Sequence, residues 1–273
     1  MERREFLIKS GAVFTAAMFS NMFLSSSKAS TINEMNTNKT GIADFNRRPN
    51  PDDFSKAALM AIAYGINTPN PHNTQAWKFK LLSDDEFLLY IDESRLLTET
   101  DPPSRQMHIG CGCFLATLEA GMSLKGYKAE FELFPEGSYS LSETGTKPVA
   151  KVILKNDKFQ PLPYSDVIFT RKTNRLKYTG NIIEKAEFDS ILTDFPNQYS
   201  QIILENGEHE MAEITEFLHN GMEVECRTHN TYEETRVWFR LGDDKALKRD
   251  GINLDGTVDG KLMIWILEKT MKG

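Results

Sequence analysis

The stretch Thr68-Pro69-Asn70-Pro71-His72-Asn73-Thr74-Gln75-Ala76-Trp77 decides how this chain of 273 residues is read. Its two prolines stiffen the backbone, and Asn73 and Gln75 carry paired donor and acceptor amides two residues apart. Such a segment is either a Pro/Asn turn with Trp77 in the core, or a rigid edge matching a ligand's own alternating C=O and N–H groups. About a hundred residues further on, Thr170-Arg171-Lys172-Thr173-Asn174-Arg175 gathers two guanidiniums, an ammonium and a hydroxyl. At helical spacing these groups would fall within one turn. They are either a solvated basic face or a phosphate cradle, since arginine meets phosphate oxygens in bidentate fashion.

Working outward, Asp52 and Asp53 precede Phe54, Ala57, Ala58, Ala61 and Ile62 at helical spacing, and Gly65 is placed as a stop. A helix over 52–64 is predicted. After the first stretch, Trp77, Phe79 and Leu81 alternate with Lys78 and Lys80, and Ser83-Asp84-Asp85 turns the chain into a second strand over 87–91. Asp101-Pro102-Pro103 reads as an N-cap with proline in the first turn. It opens a helix over 103–125 whose Met107, Cys111, Phe114, Leu115, Leu118 and Met122 share one stripe. Gly110, Gly112, Ala116 and Ala120 leave its flanks bare for close packing. Strands are expected at 127–134 and 149–154. Beyond Pro161 the pattern is mostly helical, at 164–172, 184–193, 208–223 and 231–240, with a strand at 201–204 and a Gly/Asp-rich loop over 249–260. The apolar run 261–267 must be buried or paired. The class is α+β, an antiparallel or mixed sheet packed with helices around a central buried helix.

With 40% hydrophobic residues the chain can bury one large core or two packed halves. A net charge of −7 argues against a nucleic-acid partner, which needs a basic face. Three cysteines are too few for a disulfide framework. At the N-terminus, Arg3-Arg4-Glu5-Phe6-Leu7-Ile8-Lys9 precedes a moderately apolar run from Gly11 to Leu24 and the small-x-small site Ser27-Lys28-Ala29. That order is a signal peptide's, and the paired arginines resemble the bacterial twin-arginine type. A basic amphipathic start or an uncleaved anchor is the alternative, but a run of about 14 residues is short of the roughly 20 that span a bilayer. The expectation is a signal peptide over 1–29, cleaved near Ala29, and a flexible leader over 30–50. Export to the periplasm by the twin-arginine machinery, which carries folded proteins and often their cofactors, follows from that expectation.

Together the two opening stretches resemble the flavin mononucleotide (FMN) site of the nitroreductase family. Its members hold the FMN phosphate with an Arg-x-Ser/Thr-x-Arg/Lys segment and the ring with a Pro-Ser-x-x-Asn-x-Gln-Pro-Trp segment of the other subunit. The resemblance implies phosphate binding by Arg171, Lys172, Thr173 and Arg175, and ring binding by Pro69, Asn70, Pro71, Asn73 and Gln75. Here the ring segment comes first, an order similar to the Acg-like subgroup, in which two nitroreductase-like halves are fused and the intersubunit site closes within one chain. The helix after Asp101 and the region from Arg236 to Arg249-Asp250-Gly251 are similar to that subgroup too. On this reading, 51–160 is a first nitroreductase-like half and 161–273 a second, incomplete one, packed as one globular unit. Ala76 stands where the family has proline, and the second half carries no Asn-x-Gln-x-Trp-like segment, so one FMN site per chain is expected.

The family's chemistry is hydride transfer at flavin N5 to a small acceptor of nitroaromatic or quinone type, with charge developing at the N1/C2 carbonyl end. It requires no protein acid or base, so no catalytic side chain is named. Two rival readings remain: a flavin-sequestering protein whose ring face is covered by a lid from the second half, and an exported binding module without cofactor. Export favours the first rival, since NAD(P)H is not expected outside the cytoplasm. The protein is expected as a monomer, an internal pseudo-dimer, or as a homodimer.

His108-Ile109-Gly110-Cys111-Gly112-Cys113 invites a metal reading, but on a helix Cys113 points about 140° away from His108. Core cysteines are the expectation and no metal site is predicted. His72 is expected to line the ring loop or face solvent, and His209, His219 and His229 the surface. Cys226 with His229 lacks an orienting acid, which argues against a hydrolase.

Overall fold

A computed structural model describes residues 49–176, 180, 182–194, 201–242, 248–254, 258 and 260–271. The expected signal peptide and all of the leader before residue 49 lie outside them. The described residues fall into two compact units, a larger one drawn from Arg48–Lys172 and Lys177–Trp238, and a smaller one drawn from Thr173–Leu176 and Phe239–Gly273.

The larger unit begins with α1 (Ala57–Gly65), the hairpin β1 (Trp77–Leu81) and β2 (Glu86–Ile91), then α2 (Arg105–Ser123), β3 (Tyr127–Leu133) and β4 (Ala150–Asn156). The four strands form one sheet in the order β1-β2-β4-β3, antiparallel at every pairing. Alternation puts Phe87, Leu89 and Ile91 of β2 and Ala150, Val152 and Leu154 of β4 on one buried face. Against this core packs the α2 stripe expected from the sequence: Met107, Cys111, Phe114, Leu115, Leu118 and Met122 are all buried. The fold is thus α+β, an antiparallel sheet with α2 at its centre, as the sequence pattern indicated.

Helix α1 lies on α2 at two bare positions. A Cβ at Gly65 would sit 2.5 Å from the Phe114 ring, and one at Gly121 would overlap the ring of Tyr64. The helix ends at Gly65, where the stop was expected, with Ile66 as its C-cap, and the glycine serves close approach as well. The helix expected over 52–64 is also broken near its start. Pro51–Asp53 forms a single 3-10 turn capped by Asn50, Phe54 is extended, and α1 starts only at Ala57. Asp101 caps α2 as expected, but from four residues ahead: its Oδ2 accepts from Gln106 N at 2.8 Å and Met107 N at 3.2 Å.

Departures concentrate after Pro161. The helix expected over 164–172 is a 3-10 turn, Ser165–Val167, followed by irregular chain. Tertiary docking overrides propensity here: Leu162 N donates to Ser123 Oγ at 2.9 Å, Ile168 enters the core, and Phe169 meets Tyr64 with ring centroids 5.7 Å apart. The strand expected at 201–204 is irregular as well. Helices do form as α3 (Lys185–Asp194), α4 (Glu208–Arg227) and α5 (His229–Val237). Glu234 of α5 ties this region to the approach to α2, accepting from Thr100 N at 2.8 Å, Thr100 Oγ1 at 2.7 Å and Glu99 N at 3.1 Å. Along α4, Ile214, Phe217, Leu218 and Met222 are exposed.

In the smaller unit, β5 (Phe239–Arg240) pairs in parallel with β6 (Ile252–Asn253), and α6 (Lys261–Met271) follows. Arg240 and Asp250 form a buried ion pair at 2.7 Å. Of the apolar run expected to be buried, Leu267 is, while Leu262 and Trp265 remain exposed. No described helix is long and apolar enough to cross a membrane.

Because Tyr64 occupies the space beside Gly121, Gly121→Ala is expected to destabilise the protein by about 1–3 kcal/mol through overpacking. Urea unfolding of the two proteins measures this as a lowered midpoint at unchanged slope.

Candidate functional site

The loop joining α1 to β1 carries three non-glycine residues at positive φ: His72 at 45°, Asn73 at 52° and Gln75 at 54°. Asparagine tolerates this region, histidine less so, and glutamine has no local compensation. Such backbone persists only where the surroundings fix it, and here they do at every point. At the entry, Asn67 is buried and its Nδ2 donates to Ala63 O at 2.7 Å, capping α1. Thr117 of α2 donates its hydroxyl to Thr68 Oγ1 at 3.1 Å. In the middle, Pro71 rests on the bare flank of α2, where a Cβ at Gly110 would lie 3.2 Å from its Cδ. Arg95 Nη1 donates to Thr74 O at 2.8 Å. At the exit, Asp92 N donates to Ala76 O at 3.0 Å, and Trp77 packs on Phe114 with ring centroids 5.4 Å apart.

Inside the loop the amides interlock. Asn70 Oδ1 accepts from Gln75 N at 2.9 Å, and Asn73 Oδ1 accepts from Gln75 Nε2 at 2.6 Å and Asn70 Nδ2 at 3.5 Å. The consequence is an amide face with fixed orientation, half-buried at Asn70, Pro71, Asn73 and Gln75, with Pro69 exposed.

The basic segment is placed differently from the sequence expectation. Residues 171–175 are irregular and do not form one helical turn; the chain closes a tight turn through Thr170 N and Arg171 N on Val167 O, at 3.0 and 2.8 Å, and then extends. Within the larger unit Arg171 is half-buried and its Nη2 reaches Asn67 O at 3.4 Å, at the mouth of the amide loop. Lys172 is exposed. Thr173 and Arg175 belong to the smaller unit and are exposed there.

Arg95 was not singled out from the sequence, because 21 residues separate it from the Thr74 carbonyl that it holds. Its neighbour Asp92 shapes the same corner. Burial alone would raise the Asp92 carboxyl, but hydrogen bonds from the Ser94 hydroxyl and N–H and from Lys78 outweigh it and hold the group below its usual range.

The residues of the metal reading are engaged elsewhere. His108 contacts Ser104 O through Nδ1 at 2.7 Å and Tyr139 Oη through Nε2 at 2.8 Å. Cys111 is buried, and burial with Cys113 nearby pushes its thiol up to about 12, which leaves it inert at neutral pH. No group of three or more metal-ligating side chains occurs among the described residues.

The α+β scaffold thus presents a fixed amide edge with Arg171 beside its mouth. No family model matches the chain. Two curated relatives, both called "Putative NAD(P)H nitroreductase acg", from Mycobacterium tuberculosis strains CDC 1551/Oshkosh and H37Rv, are each 28% identical over 120 residues. The match covers 43% of this chain and 34% of the relatives, so it spans about a third of their length.

Substituting Gly110→Val inserts a branched side chain where Pro71 now rests. The expected result is displaced side-chain amide resonances for Asn73 and Gln75 in ¹⁵N spectra, with a stability loss of about 1–3 kcal/mol. Unchanged amide signals would show that α2 does not set the loop's conformation.

Proposed function

We propose that this protein is an FMN-binding oxidoreductase of nitroreductase type that passes electrons to a small acceptor, a nitroaromatic or a quinone. The observation that carries the proposal is the left-handed backbone at His72, Asn73 and Gln75, where the locked amides form a fixed edge of donors and acceptors. The similarity to relatives named as nitroreductases supports it independently.

The side chains fit FMN in two parts. Asn73 and Gln75, backed by Asn70, match the alternating C=O and N–H groups of the flavin pyrimidine edge. Pro69 and Pro71 keep the backbone that bears them rigid, which lowers the ordering cost of binding. Arg171, beside the loop's mouth, would meet the phosphate, with Lys172, Thr173 and Arg175 as its partners in the same segment. Bound there, FMN would supply hydride transfer at its N5 position. The chain's own part is to bind, orient and stabilise charge at the pyrimidine end, where amide N–H groups favour the reduced, more electron-rich ring. No side chain is assigned as acid or base.

The twin-arginine pattern at Arg3 and Arg4 supports export to the periplasm in a folded, cofactor-loaded state. NAD(P)H is not expected in that compartment, so the reductant would be another donor.

Arg171→Ala and Arg175→Ala should each weaken FMN binding by about tenfold or more, as expected for losing a charge-assisted hydrogen bond. Flavin occupancy after dialysis reads this directly, and unchanged occupancy in both variants would discard the phosphate assignment. Dithionite-reduced holoprotein should be reoxidised by a nitroaromatic or a quinone under anaerobic conditions. Bound FMN that reacts with neither would mark a flavin-sequestering protein instead.

A further inference from the structure

At the start of α2, a cleft of about 240 Å³ is lined by Pro103, His108, Phe134, Tyr139 and Leu141 with the two serines Ser138 and Ser140, and by no residue of the amide loop. Its aromatic walls pack on one another: ring centroids lie 5.7 Å apart for His108 and Tyr139, 5.7 Å for Phe134 and Tyr139, and 6.3 Å for His108 and Phe134. Phe134 sits at a φ of 49°, an uncommon setting for a bulky residue and one that clusters at ligand clamps.

The hydrogen-bond chain fixes what the cleft offers. A backbone carbonyl only accepts, so the 2.7 Å contact with Ser104 O places the hydrogen of neutral His108 on Nδ1. Nε2 is then an acceptor, and Tyr139 donates its hydroxyl hydrogen to it at 2.8 Å. Burial, and then the nearby Cys111, push Tyr139 up to about 12, so the phenol keeps that hydrogen at neutral pH. With its hydrogen committed, Tyr139 Oη has acceptor capacity left and no donor. No Lys, Arg, Asp or Glu lines the cleft. A carboxylate would meet a lone pair and no cation, and a quinone carbonyl would find no donor on Tyr139. A flat, neutral ring bearing a hydroxyl matches both features, since its face can pack on Phe134 and its O–H can donate to Tyr139 Oη.

We propose that this cleft is a second ligand site, distinct from the amide loop, that binds small phenols. The test uses the full chain labelled with ¹⁵N-histidine, in which only five histidines contribute signals. Titration with phenol should shift the His108 imidazole signals saturably in the millimolar range or below. Anisole, which has the ring but no donor, should bind about tenfold more weakly. Ser138→Trp, which fills the cleft from an exposed position and leaves both His108 and Tyr139 in place, should abolish the phenol response. A His108 signal that phenol leaves unmoved throughout the millimolar range, or equal affinity for phenol and anisole, would overturn the proposal.

Discussion

Everything about the candidate site depends on one constraint: the chain between α1 and β1 is held left-handed at three residues that have a Cβ. Each such residue costs on the order of 1–3 kcal/mol. The cost is offset outside the loop, by the Asn67 cap on α1, the Arg95 bond to Thr74 O, and the close seat of Pro71 against Gly110. It is offset inside the loop by the ring of bonds among Asn70, Asn73 and Gln75. The amides that the loop carries are thereby held at a fixed angle.

Much of the framework was legible because burial follows periodicity. The stripe on α2 comes directly from apolar spacing and forms the core, whereas 87–91 is apolar throughout, so the sequence marked β2 as a strand without showing which of its faces is buried. The amide loop was legible as chemistry, through its prolines and amides, but not as conformation, since nothing local requires positive φ at His72 or Gln75. Gly65 ends α1 as its local pattern indicated, but it has a second role with no local sign: Phe114 lies against it, a contact 49 residues away. The 164–172 segment went wrong for the same cause. Its local pattern favours helix, yet Ser123, Tyr64 and the core draw it into a docked turn. Arg95 and Glu234 act through long-range bonds to backbone and gave no local sign.

Helix α2 organises more than the core. One bare flank seats the amide loop at Gly110, another takes the ring of Tyr64 at Gly121, and its first turn supplies His108 to the aromatic cleft. A single buried helix thus fixes the geometry of two separate surface features through Gly110 and Gly121, whereas Gly112 has open space around it and Ala116 is exposed, so the close packing expected at those two positions does not occur. Glu234 pins the loop just ahead of it, so the position of α2 also depends on α5.

The central claim is that the amide loop is a preformed flavin edge. Titration of the purified chain with FMN, followed by quenching of flavin fluorescence, tests it most directly. A preformed flavin edge gives saturable binding at one FMN per chain, with the side-chain amide signals of Asn73 and Gln75 shifting in step. Absence of saturation, or saturation that leaves those amides unmoved, would contradict it.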